Sequence, residues 1–522
     1  MRKKRLLGAT ALMATAAVGS VALPVVSGAS SAFAAQSSSG KPTLTFGVNA
    51  AVTTGLSPAQ SGITPWTIDD LAYLSLVQLD PQGNYVPGLA TSWGFSNQNK
   101  TFTMQIRSGV HFSDGSLLTA QGVADWFRFD VKHNGEGGAS INFGSVDVTG
   151  PSTVVLHMTA PTPDLLYLLS QDVGIGMVGS PKAVQDPSIL TNSTDGTGPY
   201  VLVPSASIPN SQYTFVPNKY YYNPSAVHWG KVVVDVITNV NSILEALRTG
   251  EIEVSEGDIT TVAAAKAAGL QVIAKPWGWE GVTFLDRGAK TPTGASPNPL
   301  SSVLVRQALN YAVNRNAIVQ ALFGKYATPT SEIPTQDGWV AADRTYYPYD
   351  PAKAKALLAK AGYPNGFTLN VLDQNYTGTD PMLEAVAQNE SAIGVKFNLT
   401  PGPQPAEWAN DWYSGKYSAN GIIYTIFFSS DVMYAGYFAP NGSGNQHGWN
   451  DPVLVGYAKQ AEVLPPSEAV PYWQKMWNRS VQQADELPVL EVYGFYYTNN
   501  KVAGVEFSGK GGTADPLYWY PR

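Results

Sequence analysis

The chain has 522 residues, a formal net charge of −7 and no cysteine. This length is enough for two large domains or about three of ordinary size. Because the chain is acidic and has no basic cluster beyond its first residues, it is a poor candidate for binding nucleic acid. Without cysteine, disulfides cannot contribute to the fold, which must rest on packing. For the same reason we do not expect a lipoprotein.

The first 34 residues predict a cleavable secretory signal peptide. Its opening is basic, residues 6–26 form an apolar, alanine-rich run, and residues 31–34 end in small side chains that fit an A-x-A cleavage site. Gly19 and Pro24 weigh against the alternative of a transmembrane helix. We therefore expect a secreted, extracytoplasmic protein, either periplasmic or outside the cell membrane. Residues 35–42 would form a flexible mature N-terminus.

The pattern of apolar residues predicts a mixture of strands and helices. Alternating residues predict strands at 43–48, 101–107, 153–158, 201–203, 212–216, 232–237, 367–372, 395–399 and 421–428. Helical spacing and capping residues predict helices at 119–132, 242–249, 303–323, 351–361, 381–393 and 468–484. Their irregular alternation favours mixed α/β domains over a barrel or a repeat array.

Six segments occur in an order that is more informative than any one of them. They are the block from Tyr73 to Phe127 with LDPQGNYVPGLATSW inside it, Gly196-TGPY, Ile243-LEALRTGEIEV, Leu304-VRQALNYAVNR, Tyr347-PYDPAKAKALLAKAGYPNGF and Gly442-SGNQHGW. Taken together, they resemble the extracytoplasmic solute-binding proteins of ABC importers, in the peptide/nickel (oligopeptide/dipeptide-binding, family 5) class. Most of these motifs identify scaffold and do not locate chemistry.

The resemblance implies a bilobed, periplasmic-binding-protein-like α/β fold of type II, with an extra inserted domain and a ligand cleft between the lobes. Such lobes close by hinge motion around the ligand. The implied partners are a small oligomeric ligand, a peptide or an oligosaccharide, and the membrane subunits of an importer, with the receptor itself a monomer. The implied divisions are a compound lobe at 41–73, 201–288 and 498–522, an inserted domain at 74–200, a second lobe at 289–497, and a linker at 289–299.

The segment Gly421-IIYTIFFSSDVMY-Ala435 carries the most informative departure from the family pattern. In the peptide binders of the family, a segment resembling W-x-x-D-x-x-D-P supplies an aspartate for the amino terminus of the peptide. Here Tyr424 takes the aromatic position, Phe427 falls where the aspartate is expected, and Asp431 follows four residues later. Three interpretations stay open: Asp431 takes over the role, the ligand lacks a free amine, or the alignment is displaced by a few residues.

Other candidate ligand-binding residues come from the same resemblance and from the abundance of aromatic residues. Aromatic rings bury a large area at low entropic cost, although each tryptophan could equally pack in a core. The candidates are Gly62, Trp66, Trp277, Trp279, Trp408, Trp412, Asn445 and Trp449. The two arginines of the 304–315 motif, Arg306 and Arg315, are expected in surface or interdomain ion pairs and not in ligand contacts.

The sequence offers little support for catalysis, a cofactor or a metal. Residues 174–179 match G-x-G-x-x-G, but without a surrounding βαβ unit a close-packed turn is the better interpretation. The five histidines are scattered, and no H-E-x-x-H or G-x-S-x-G motif occurs. We expect a receptor for short peptides, with an oligosaccharide receptor as the close alternative. A secreted glycoside hydrolase is the distant alternative. A sequence cannot show whether two carboxylates face each other across a cleft, and the family resemblance argues against a hydrolase.

The alignment of the 421–435 segment predicts that Phe427→Asp improves the binding of peptides with a free amino terminus. The substitution would restore a carboxylate where the peptide binders carry one. A thermal-shift screen of peptides against oligosaccharides measures this, because a ligand selective for the folded state raises the melting temperature. Unchanged or weaker peptide binding would contradict the alignment.

Overall fold

The computed structural model describes residues 40–50, 55–59, 66–133, 141–288, 298–425, 429–440, 442, 444–445, 447–508 and 513–522. The expected signal peptide, Gly62, Phe427 and most of the expected linker lie outside the described residues.

One large mixed sheet runs through most of the molecule. Its strands lie in the order β15-β14-β16-β12-β17-β11-β1-β10-β9-β8, and β13 pairs with β17. The strands are β1 (Thr43–Val48), β8 (Tyr200–Leu202), β9 (Gln212–Pro217), β10 (Lys231–Val236), β11 (Val254–Gly257), β12 (Gln271–Phe284), β13 (Ala327–Pro329), β14 (Phe367–Asp373), β15 (Val395–Pro401), β16 (Ala419–Thr425) and β17 (Glu486–Thr498).

The two longest strands connect the halves of this sheet. β12 and β17 pair antiparallel from Gln271 opposite Thr498 to Thr283 opposite Glu486, with register shifts at Pro276/Gly278 and Glu280/Gly281. Toward one end β17 also pairs with β11, and toward the other end β12 also pairs with β16. Any movement of one half of the sheet against the other must therefore bend or twist this pair.

A smaller sheet belongs to the 74–200 segment. Its strands lie in the order β4-β5-β7-β6, and a separate hairpin of β2 and β3 precedes it. The alternating burial of β5 and β7 places one face of the sheet against a core and the other toward solvent. The strands are β2 (Val77–Leu79), β3 (Tyr85–Pro87), β4 (Ala90–Ser96), β5 (Thr101–Ile106), β6 (Phe143–Val148) and β7 (Thr153–Met158).

Helices cover the sheets, and aspartate or asparagine side chains cap several of them. Asp350 caps one helix that has proline in its first turn, as the sequence predicted, and Asp451 caps another. The helices are α1 (Trp66–Ala72), α2 (Ala120–His133), α3 (Leu165–Leu168), α4 (Pro181–Gln185), α5 (Val240–Thr249), α6 (Val262–Ala267), α7 (Val303–Ala312), α8 (Arg315–Leu322), α9 (Pro351–Lys360), α10 (Asp380–Ser391), α11 (Pro405–Trp412), α12 (Ser430–Met433), α13 (Pro452–Ala461) and α14 (Pro466–Gln483). Strands β18 (Val502–Ala503) and β19 (Tyr520–Pro521) form a short terminal pair.

The apolar side chains form separate cores. One lies almost entirely within residues 74–190, a second combines residues 44–73 and 200–254 with 496–519, and two more fill the 279–492 part of the chain. The α/β architecture is the bilobed one expected from the sequence. We propose the compound lobe, inserted domain and second lobe at the boundaries given above. The separate cores support the inserted domain, whereas Trp279, Val282, Phe284 and Leu285, which those boundaries assign to the compound lobe, pack in the cores of the second lobe.

One predicted helix was wrong. The helix predicted at 303–323 is two helices, because Val313 leaves the helical conformation and Asn314 starts a new helix by accepting the Ala317 N–H at 3.1 Å. The error arises because apolar periodicity continues across a turn that a single capping side chain creates. The strand predicted at 421–428 is present over residues 421–425, and residues 426–428 lie outside the described residues.

The two arginines are not surface residues, contrary to expectation. Arg306 is 2% exposed, donates to the Asp485 carboxylate at 3.1 Å, and also donates to the carbonyls of Leu300 and Ala484. Arg315 is 5% exposed and donates to the carbonyl of Pro488 at 2.8 Å. All of these contacts lie within the second lobe. Each arginine can be buried because its delocalised guanidinium bonds several acceptors at once.

The glycines of the 174–179 motif form a close-packed turn, as expected. A Cβ at Gly176 would lie 1.9 Å from the carbonyl oxygen of Leu169, and one at Gly179 would lie 2.3 Å from the Trp126 ring. Neither position has room for a side chain.

Arg306→Ala is expected to destabilise the second lobe by about 3 kcal/mol or more, because it leaves the Asp485 carboxylate buried without its cation. Chemical denaturation followed by tryptophan fluorescence measures this. Arg248→Ala is the matched control, since Arg248 makes an exposed ion pair with Glu245 and its loss should change little. Equal stability of the two variants would contradict the structural role of Arg306.

Candidate ligand-binding site

Among the described residues, hydrogen bonds join the proposed inserted domain to the proposed second lobe at two places. At the first, the Asn99 side-chain amide donates to the carbonyl oxygens of Glu462 and Leu464 at 2.9 and 2.7 Å. At the second, the Ser429 hydroxyl donates to the Asp164 carboxylate at 3.3 Å. These contacts bring together segments that lie hundreds of residues apart, and they place α12 at the junction between the two domains.

Asp431 lies on α12, and hydrogen bonds fix the start of this short helix. The Ser429 hydroxyl accepts the Val432 N–H at 3.2 Å, and the Ser430 N–H donates to the Asp337 carboxylate at 2.7 Å. The Trp477 indole N–H donates to the Ser430 hydroxyl at 2.8 Å. The half-buried Asp431 side chain is therefore held on a rigid turn.

Carboxylates from both domains act on one another here. Burial raises the pKa of Asp431 well above its ordinary value, and the charges of Asp164, Glu462 and Asp337 raise it further, while Lys459 lowers it. Burial likewise raises the pKa of Asp164 to about 7, with a further contribution from Asp337. Because one lysine only partly offsets these charges, a cationic group placed between Asp164 and Asp431 would be stabilised.

Four of the predicted aromatic candidates lie together, but in a packed core. Trp279, Trp408, Trp412 and Tyr424 are each at most 5% exposed. The Trp408 indole N–H donates to the Asn420 side chain at 3.0 Å, and the Trp408 and Trp412 ring centroids are 4.9 Å apart. Their contact with a ligand stays a prediction, and their burial favours the packing role instead.

Three other candidates differ in burial: Trp277 and Trp449 are half-buried, and Asn445 is buried. Trp277 is half-buried on β12, where a Cβ at Gly494 would lie 3.0 Å from its ring, so the indole covers the middle of the β12–β17 pair. Trp449 is half-buried, with the Arg287 guanidinium 4.4 Å from its ring centroid. Asn445 is 1% exposed and donates to the Trp449 carbonyl at 2.7 Å, which is a structural contact.

The remaining candidates are Gly62, Phe427 and Trp66. Gly62 and Phe427 lie outside the described residues, and Trp66 is the first residue of α1. Sequence reasoning missed Asp164 and Asp337, which the structure brings to Asp431. Asp164 precedes a single helical turn, α3, and carries no motif. No local signal links it to its hydrogen-bond partner Ser429, which lies 265 residues away.

The described residues offer no sign of a metal site or a membrane helix. In that part of the chain, no three or more His, Cys, Asp or Glu side chains are grouped as metal ligands would be. None of its helices combines the length and apolarity needed to cross a bilayer.

Comparison with known families decides the class of protein. The sequence profile of the bacterial extracellular solute-binding proteins, family 5 (middle region), matches residues 84–446. The chain belongs to this family. Its members are bacterial extracellular solute-binding proteins, and the curated relatives that the chain matches are named as binding proteins.

Among curated relatives, the glutathione-binding protein GsiB of Salmonella typhimurium is 28% identical over 338 residues, and that of Escherichia coli K12 is 27% identical over 349. Each alignment covers 63% of this chain and 63% of the relative.

Solved structures share the fold over nearly the whole chain. HbpA2 from Haemophilus parasuis has a TM-score of 0.78 at 20% identity, covering 92% of this chain and 100% of that one. DppA from Helicobacter pylori, in complex with the peptide STSA, has a TM-score of 0.72 at 20% identity, covering 92% and 98%. NikA from Brucella suis, in complex with Fe(III)-EDTA, has a TM-score of 0.77 at 18% identity, covering 92% and 100%.

Removing the contact made by Asn99 is expected to weaken the closure of the inserted domain against the second lobe. Asn99→Gly removes the two amide hydrogen bonds to the second lobe but keeps the positive φ of 59° that this position adopts, so open forms should gain population. Small-angle scattering without ligand should show a larger radius of gyration. Asn97→Gly is the control, because Asn97 is exposed with a φ of 51°. Identical scattering of the two variants would contradict the role of Asn99.

Proposed function

We propose that the protein captures short peptides between its lobes and delivers them to the membrane subunits of an ABC importer. The single observation that carries this proposal is the position of Asp431, at the junction of the inserted domain and the second lobe and beside Asp164. Asp431 would bind the ammonium group at the amino terminus of the peptide, and Asp164 would approach the same group from the inserted domain.

The electrostatics of this junction support a cationic ligand group. Two carboxylates that face each other at low dielectric repel when both are charged, which opposes closure. An ammonium between them replaces that repulsion with two attractions, and charge-assisted hydrogen bonds are about twice as strong as neutral ones. Closure would then be favoured by peptide and not by the empty receptor, which is what delivery to a transporter requires.

The proteins to which the chain is similar support the size of the ligand. They include proteins named for binding glutathione and a structure that contains the peptide STSA. An oligosaccharide is less well supported, because three of the candidate tryptophans that would stack against sugar rings, Trp279, Trp408 and Trp412, are buried in a core. Export by a cleavable signal peptide, and retention at the cell without a lipid anchor, belong to the same proposal.

Titration calorimetry with tetrapeptides tests the role of Asp431. A free amino terminus should bind at least about tenfold more tightly than an N-acetylated one, since a hydrogen bond to a charged group contributes about 1.5–3 kcal/mol. Asp431→Asn should remove that difference. Glu407→Gln, an exposed carboxylate of the same lobe, should retain it. Equal binding of free and acetylated peptides, or binding of oligosaccharides alone, would contradict the proposal.

A further inference from the structure

A second group of carboxyl groups lies where the inserted domain meets the compound lobe. Asp70 comes from α1, Asp172 from the turn after α3, and Asp515 from the C-terminal segment. They are 1%, 2% and 1% exposed. Three parts of the chain that are distant in sequence thus bring acidic side chains into one buried place.

The hydrogen bonds of this group are incomplete. The Ser508 hydroxyl donates to Asp172 Oδ1 at 2.7 Å, and Asp515 Oδ1 accepts the Leu517 N–H at 2.8 Å. Both carboxyl oxygens of Asp70, and Oδ2 of Asp515, are buried without a hydrogen-bond partner. A fully buried carboxylate with no donor and no cation is costly, so these oxygens require a proton or a ligand.

The described surroundings consist of acids and phenols. The negative charges of Asp515, Asp172 and Asp69 act on Asp70, and that of Asp172 acts on Asp515. The phenols under the influence of these acids are those of Tyr85, Tyr167, Tyr221, Tyr496 and Tyr518. Within the described ranges, no lysine, arginine or histidine acts on Asp70, Asp172 or Asp515, and Lys510 lies outside those ranges. Among the groups that the structure describes, a proton is the cation that these carboxyl groups can share.

We propose that Asp70, Asp172 and Asp515 form a buried proton-binding site that joins the inserted domain to the compound lobe, so that acid tightens this junction and alkali loosens it. The junction contains other contacts that depend on the same segment. Leu517 packs against the core of the inserted domain, and the Tyr518 hydroxyl donates to the Leu79 carbonyl at 3.3 Å. Charging the three carboxyl groups would push this C-terminal segment away from Asp172.

The direction of the pH dependence follows from burial. Burial raises the pKa of Asp172 and of Asp515 to about 7, and burial together with the neighbouring acids raises that of Asp70 well above its ordinary value. In the unfolded chain an aspartate has a pKa of about 3.9. Between these values the folded state holds more protons than the unfolded one. The stability that these three groups contribute is therefore fully present below about pH 4 and is lost as the pH rises toward 7 and beyond.

This group contains neither Asp164 nor Asp431, although the charges of Asp164 and Asp172 both act on Tyr85 and Tyr167, and the inference goes beyond the proposed peptide binding. It needs no ligand, so a receptor that binds no peptide would leave it intact. Asn mimics the shape of a protonated aspartic acid but cannot ionise, which makes Asp70→Asn the informative substitution. Asp286→Asn is its matched control, because Asp286 is also fully buried with both oxygens unpartnered and a pKa raised by burial to about 7, but lies outside the cluster.

Thermal unfolding of the full chain at pH 5 and pH 7.5 gives the first readout. The melting temperature of the wild type should fall by about 5 °C or more between these pH values. The fall should be smaller in Asp70→Asn by about 2 °C or more. A fall of the same size in Asp70→Asn and in the wild type would overturn the proposal, as would a wild type whose melting temperature does not fall.

Hydrogen exchange of the wild type gives a second readout that does not depend on any variant folding. After correction for the intrinsic effect of pH, protection of residues 165–177 and 513–518 should decrease at pH 7.5 more than that of the second lobe. Asp286→Asn should lose this protection as the wild type does, whereas Asp70→Asn should keep it. Unchanged protection of these segments in the wild type would overturn the proposal.

Discussion

The pairing of β12 with β17 is the constraint on which the rest of the structure depends. The two strands pair from Gln271 opposite Thr498 to Thr283 opposite Glu486, and they belong to both halves of the large sheet. Main-chain hydrogen bonds resist shear but permit twist, and the register shift at Pro276/Gly278 interrupts the ladder where Trp277 covers Gly494. Two bodies joined in this way can rotate about each other without losing their relative register.

Buried carboxyl groups recur throughout the described chain. Burial raises the pKa of Glu280 and of Glu332 to about 8, and it raises the pKa of Asp373 to about 6. Buried cations are fewer, and two of them are paired with acids of the second lobe, Arg287 with Glu486 at 2.7 Å and Arg306 with Asp485 at 3.1 Å. The buried ionisable groups of the described chain are therefore mainly acids whose neutral form burial favours, with a small number of guanidinium groups among them.

The sequence predicted the scaffold far better than the site. Strands such as Thr43–Val48 and Thr153–Met158 were predicted to the residue, because alternation and capping are local signals. The break at Asn314 was missed, because one capping amide outweighs a continuous apolar period. The approach of Asp164 to Asp431 was invisible for a different reason, since it depends on how two domains dock and not on either segment alone.

The tryptophans illustrate the same limit. Trp279 and Trp277 are two residues apart on one strand, yet the first is fully buried and the second is half-buried between two cores. Composition cannot separate these cases, because the same indole is suited to a core, a hinge or a binding surface. What distinguishes them is the neighbour across the sheet, which in the case of Trp277 is a glycine.

The turn Asn97–Asn99 has a consequence of its own. Its three residues all have positive φ, at 51°, 56° and 59°, and they end the hairpin of β4 and β5 that carries Asn99 to the second lobe. The length of this hairpin therefore helps to set the distance between the inserted domain and the second lobe. Lengthening or shortening it by one residue pair would change that distance without replacing a residue of either core, which offers natural variation a simple route to ligands of another size.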